Sequence, residues 1–274
     1  MTDDALEDQL RHRVEDGIAW LTLNRPDAGN AVTPAVRDRM IDLLDEASAD
    51  VAVRVVVIGA EGRHFCTGAD LRADRPGPIL PEGAPERPTG TVTRMIASGA
   101  QRLIAAVLDC EKPVIAAVGG TAAGIGAHLA LASDLVIASD EARFIEVFVR
   151  RGIIPDGGGA YLLPRVVGLH LAKELMFFGD DMPAAEAARV GLVNRVVPAA
   201  ELDATVREWA ERLAKGPTVA IGLAKRLLNR SSESDRLTAF AEEAAAQELA
   251  MTSSDAQEGV ASFVERRPTE FKGW

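Results

Sequence analysis

Apolar residues recur along this chain in two rhythms, one continuous or alternating and one helical, and their succession describes an α/β protein. Ile18 to Leu23 (IAWLTL) reads as a strand, stopped by Asn24-Arg25-Pro26. Thr33-Pro34 reads as an N-cap and first helical residue, after which Val36, Met40, Leu43, Leu44 and Ala47 share one helical face. Val53 to Ile58 (VRVVVI) is almost wholly apolar, as expected of a strand covered on both sides. It leads through Gly59–Arg63 into His64-Phe65-Cys66-Thr67-Gly68-Ala69-Asp70-Leu71, again a strand running into a glycine turn. Residues 73–90, rich in Pro and Gly and without period, read as a loop able to line a pocket. A helix is expected from about Val92 to Leu108.

The chain is organised around Glu111 to Asp156. A buried strand, Val114 to Val118, enters a turn of small residues (Gly119, Gly120, Gly124, Gly126), and a helix opens with its amides uncovered. A further strand, Leu135 to Ile137, follows, and a tight turn carries one acid, Asp156. Short helices are expected at 169–178 and 183–190, a last strand at Val193 to Val197, and helices at about 201–215, 217–229, 235–252 and 255–266. Residues 1–16 read as a polar lead-in. The pattern divides into a β-rich core over 1–198 and a helical region over 199–274.

Composition narrows the function. With 47% apolar residues in 274, the chain can bury a full core. A net charge of −11 argues against a general nucleic-acid binder, although a local basic pocket for a phosphorylated ligand remains open. Two cysteines, Cys66 and Cys110, make neither a disulfide framework nor a metal-ligand spacing, and no metal is expected. An acidic start and the lack of an 18-residue apolar run point to the cytoplasm, with no membrane partner.

A strand, a glycine turn and a helix N-terminus make a place for negative charge. One carboxyl nearby can move protons, so uncovered amides with Asp156 suggest enolate chemistry. Apolar neighbours such as Ile154 would push that carboxyl's pKa upward. The competing readings are that the glycines serve strand–helix packing and that Asp156 caps the helix beginning near Gly158. His128 is either a second proton carrier or a hydrogen-bonded core residue. Glu146 either faces the same pocket as Phe148 or is a solvated or ion-paired side chain, and Cys66 is read as core.

Four segments, in order and in spacing, resemble the enoyl-CoA hydratase/isomerase (crotonase) family: Leu23–Pro26, Phe65–Leu71, Pro113 through Gly124-Ile125-Gly126 to Asp134, and Gly152–Gly158. The likeness continues through Ala188 to Val193 and the tail Glu258–Phe263, covering nearly the whole chain. It implies a spiral of ββα units forming two roughly perpendicular sheets, with a C-terminal helical region used in trimers that commonly pair into hexamers. The implied ligand is a coenzyme A thioester, with no separate cofactor. Its oxygen would sit between the amides of Ala69 and Ile125, at turns carrying Gly68 and Gly124. Arg25, Arg63 and Arg72 match basic contacts to the nucleotide phosphates, and Ala28 and Ala69 to Leu71, including Asp70, would offer contacts to adenine and the pantetheine arm. Phe263 and Arg266 match tail residues that reach a neighbouring subunit's ligand.

The chain departs from the family's hydratases, which use two glutamates, because His128 and Phe148 hold those places. Asp156 is similar instead to the catalytic acid of dienoyl-CoA isomerases and, most closely in its turn, of ring-1,2-epoxyphenylacetyl-CoA isomerase. The resemblance thus implies an acyl-CoA enzyme acting as a double-bond isomerase through Asp156. A hydratase or lyase using Asp156 with His128 or Glu146, and a non-catalytic acyl-CoA-binding protein, stand as alternatives.

Overall fold

The computed structural model describes residues 6–73, 77 and 79–274. The chain opens with β1 (Leu10–Glu15) and β2 (Ile18–Leu23), followed by α1 (Pro34–Ala49). Thr33 starts α1 by accepting a hydrogen bond from Val36 N–H at 3.2 Å, with Pro34 at the first helical position, as its sequence suggests. Next come β3 (Val55–Ala60), β4 (His64–Cys66), α2 (Thr91–Ile96), a π-helical turn (Ala97–Gln101) and α3 (Arg102–Asp109). The single helix expected over 92–108 is therefore divided by a wide turn. β5 (Val114–Val118), β6 (Thr121–Ala123), α4 (Ile125–Ala132), β7 (Leu135–Ser139) and β8 (Arg143–Ile145) form the centre. The rest is α5 (Gly159–Val167), α6 (Leu169–Phe178), β9 (Asp181–Pro183), α7 (Ala184–Arg189), β10 (Arg195–Val197), then α8 (Leu202–Ala214), α9 (Thr218–Ser231), α10 (Arg236–Met251) and α11 (Ser254–Glu265).

The strands make a six-stranded sheet, β1-β2-β3-β5-β7-β10, and a four-stranded sheet, β4-β6-β8-β9. Pairings are parallel except β1 with β2 and β8 with β9. Each successive pair, β3/β4, β5/β6 and β7/β8, gives its first strand to the large sheet and its second to the small one. That alternation is the repeating unit of a spiral. It also stacks the turns that follow β4 and β6 side by side.

The lead-in expected over 1–16 is corrected: β1 is an edge strand whose ladder with β2 runs from Leu10↔Leu23 to Glu15↔Ile18. Only Leu10 of its six residues is buried, so no alternation announces it. Residues 1–5, and 74–76 and 78 of the loop expected over 73–90, lie outside the described residues. The remainder of that loop has no regular structure.

The main core joins β2, β3 and β5 to α1, α3 and α4, with Phe65, Leu44, Leu103 and Leu129 fully buried. On the other face of the large sheet, Leu202, Val206, Ala210 and Ala214 of α8 cover Ile18, Val57, Ile115 and Ile137. Burying a side chain of this size contributes about 1.5–3 kcal/mol. No helix among the described residues is long and apolar enough to cross a membrane.

Candidate active site

The site grows from two turns that parallel pairing forces together. β4 pairs β6 with Cys66 opposite Ala122, so the turns carrying Gly68-Ala69 and Gly124-Ile125 emerge as neighbours. Gly68 has φ +120° and Gly124 φ +55°, conformations that side chains resist. A Cβ on Gly68 would lie 3.5 Å from the Ala123 carbonyl oxygen, which shows how closely the turns pass.

Both amides are free. Val32 N–H donates to the Gly68 carbonyl at 2.9 Å and Asp70 N–H to the Val32 carbonyl at 2.9 Å. A parallel bridge so made turns the Ala69 N–H to the opposite side, where it has no acceptor among the described residues. Ile125 is the first residue of α4, so no earlier carbonyl of the helix can reach its N–H, and the helix dipole favours an anion there.

Asp156 stands on the turn next to Ile125: a Cβ added to the following residue, Gly157, would come within 2.5 Å of Ile125 Cδ1. The carboxylate is partly buried and makes no hydrogen bond or ion pair among the described residues. The capping alternative fails, because α5 begins at Gly159 behind Gly158 with no side-chain cap. Ile154, expected to press on Asp156, is 79% exposed and supplies no apolar wall.

Beneath this turn His128 is fully buried, its Nε2 3.2 Å from Glu146 Oε2. Glu146 is buried too and meets His128, so the partnered reading of it holds and the solvated one does not. Phe148 stacks on the imidazole with centroids 5.2 Å apart and lies under Gly124, behind the turn. Cys66 is core: it is fully buried, and burial pushes its thiol up to about 12. A cleft of about 1240 Å³ beside Trp20 and Arg207 contains none of these residues.

A family model described as enoyl-CoA hydratase/isomerase matches residues 13–274. The chain belongs to that family. The 1,2-epoxyphenylacetyl-CoA isomerase of Escherichia coli K12 is 36% identical over 95% of this chain and 97% of its own length. The short-chain-enoyl-CoA hydratase of Clostridium acetobutylicum is 35% identical over 93% and 94%. The crystal structure of an enoyl-CoA hydratase/isomerase from Cupriavidus metallidurans CH34 superposes with a TM-score of 0.87 at 35% identity, covering 97% of both chains. The spiral and its two sheets are thus the crotonase fold, and the protein is an enzyme of the enoyl-CoA hydratase/isomerase family, whose substrates are acyl-CoA thioesters.

Of the residues matched to coenzyme A contacts in this family, Arg25 and Asp70 come together: Nη2 lies 2.9 Å from Oδ2. The Arg72 amide and then Arg25 hold the Asp70 carboxyl below the usual carboxylate range. Arg25 is thereby partly committed, also donating to the Ala31 carbonyl at 2.5 Å, whereas Arg63 and Arg72 are exposed and unpaired among the described residues. Leu71 is exposed. Ala28 is exposed, but its N–H is spent on the Arg25 carbonyl and its carbonyl accepts from Ala31 N–H at 3.2 Å, which leaves the carbonyl's second lone pair as the group to offer. Phe263 is 85% exposed and Arg266 caps α11 in a left-handed conformation, both at the end of that helix.

Sequence reasoning missed Asn30. It is buried at φ +54°, accepts from Arg25 N–H at 2.8 Å, and donates to the Glu61 and His64 carbonyls at 2.9 and 2.6 Å. A positive φ favours Asn, and Asn-Ala after Gly was the available signal.

Proposed function

We propose that this protein is a double-bond isomerase of enoyl-CoA thioesters, with Asp156 as its acid–base group. The observation that carries the reading is an unpartnered carboxylate on the turn adjoining Ile125, in a chain with His128 and Phe148 where hydratases of the family hold glutamates. Asp156 takes a proton from one carbon of the acyl chain. The electron pair left behind delocalises onto the thioester oxygen, where the Ala69 and Ile125 amides stabilise it by about 3 kcal/mol per donor. Asp156 then returns the proton two carbons away, and neither water nor an oxidant enters the balance. Coenzyme A takes part only as the substrate's carrier. The exposed Phe263 and Arg266 suit a homotrimer or a dimer of trimers in which subunits complete one another's sites.

The test offers the protein a 3-enoyl-CoA and a 2-enoyl-CoA. Isomerisation without water uptake is expected, and Asp156→Asn is expected to lower kcat by about 10²–10⁴ while thioester binding persists. A 3-hydroxyacyl-CoA product would move the assignment to a hydratase or lyase using Asp156 with His128 or Glu146. Tight binding with no turnover in the wild type would leave an acyl-CoA-binding protein.

A further inference from the structure

The buried pair of His128 and Glu146 has no task in the proton shift above. A carboxylate only accepts, so with Nε2 3.2 Å from Glu146 Oε2 a neutral imidazole carries its hydrogen on Nε2 and leaves Nδ1 as a lone-pair acceptor. Nδ1 is buried and has no partner, a costly condition that calls for a reason. The Asp156 turn lies against the ring: a Cβ built on Gly157 would stand 2.9 Å from Nδ1, on that side, whereas one on Gly159 would crowd Nε2. Gly157 and Gly159 are buried, and the amides of residues 156–159 donate no hydrogen bond among the described residues. An acceptor without a donor thus lies beside a turn whose N–H groups have no acceptor among the described residues. Stacking on Phe148, at 12° between planes, fixes the ring's orientation.

We propose that, once a thioester is bound, His128 Nδ1 accepts a main-chain N–H of the 156–159 turn, and that Glu146 holds the tautomer this requires. His128 is then a positioning residue. It touches no reacting carbon, and it aims Asp156 by anchoring the adjoining peptide, much as a carboxylate–imidazole pair orients a neighbouring group elsewhere. The inference rests on Asp156 being the acid–base group.

The experiment labels the protein with ¹⁵N-histidine and ¹⁵N-glycine and titrates it with butyryl-CoA, a saturated thioester. His128 is expected to show the Nε2–H tautomer, and exchange of the Gly157 amide with solvent to slow about tenfold or more on binding. In turnover, His128→Ala is expected to lower kcat about tenfold or more with KM within about twofold, and His128→Asn, which retains an acceptor near Nδ1, to regain most of it. Glu146→Leu roughly keeps the volume and removes the acceptor that holds the hydrogen on Nε2. That variant is expected to release the tautomer and lose kcat as His128→Ala does, and it decides the matter if His128→Ala fails to fold. An Nδ1–H tautomer in the wild type, unchanged Gly157 exchange on binding, or full kcat in Glu146→Leu would overturn the proposal. If no enoyl-CoA is isomerised at all, the assigned reaction fails instead, and the tautomer and exchange results still decide this inference.

Discussion

Replacing Gly126 with alanine sets two known effects against each other, and the structure determines which wins. In a helix, Gly→Ala is worth up to about 1 kcal/mol in favour of alanine. At Gly126 the new Cβ would stand 2.7 Å from Cys66 Cβ and 2.9 Å from the Cys66 carbonyl carbon, with the carbonyl oxygen closer still. Ordinary carbon contacts begin near ~3.5 Å, so α4 and the end of β4 must part by about 0.8 Å. Overpacking of this kind costs about 1–3 kcal/mol, more than propensity returns, and rigid main chain cannot swing aside. The same separation pulls Ile125 away from Ala69, and a displacement near 1 Å in a catalytic constellation can cost about 10²-fold in rate. Gly126→Ala should therefore lower Tm by about 2–4 °C per kcal/mol lost and reduce kcat/KM by roughly two orders of magnitude. Gly259→Ala in α11 is the control: its Cβ would meet Phe271 at 3.4 Å, so that variant should match or exceed the wild type in Tm. Thermal melts and steady-state turnover on the same preparations suffice. A Gly126→Ala protein as stable and as active as the wild type would refute the argument.

Further outcomes are open to direct measurement. Lys225 is buried, with Nζ 2.8 Å from Asp134 Oδ2 and bonded to the Val107 and Lys112 carbonyls, so Lys225→Met should cost about 3–5 kcal/mol in urea denaturation at neutral pH. Burial holds the Asp134 carboxyl above its ordinary value against the pull of Lys225. The folded chain thus favours its protonated form, and the deficit of Lys225→Met should be smallest below about pH 3.9 and grow as pH rises through that raised value. Arg25→Met should raise KM for a CoA thioester about tenfold or more with a smaller change in kcat, and equal KM values would argue against a phosphate contact. Asp156→Asn, with its kcat lowered as described above, should still hold the ligand, as equilibrium dialysis would record.

What the sequence revealed was local. Thr33-Pro34, the apolar run of β3 and the glycines at 68 and 124 carry their reasons within a few residues, and each stands where its pattern points. β6, β8 and β9 are three residues long, too short for any period to register, and β1 hides behind five exposed side chains. Asn30 reads main-chain groups 31 and 34 residues away, and His128 meets Glu146 across 18 residues, so neither partnership is visible in one dimension. Ile154 shows the opposite failure. Its apolar character suggested a wall beside Asp156, yet hydrophobic residues on a surface turn are common, and character alone does not fix direction.

Asn30 has a reach beyond its own hydrogen bonds. Its side chain ties Arg25 to the carbonyls at 61 and 64, Val32 bridges to Ala69, and Arg25 grips Asp70. The handle by which a nucleotide would be held and one side of the proposed oxyanion site are therefore a single stiff piece. Tugging on the far end of the ligand should be felt at the reacting end, and a thioester shortened to its pantetheine stub should react more slowly, not merely bind more weakly.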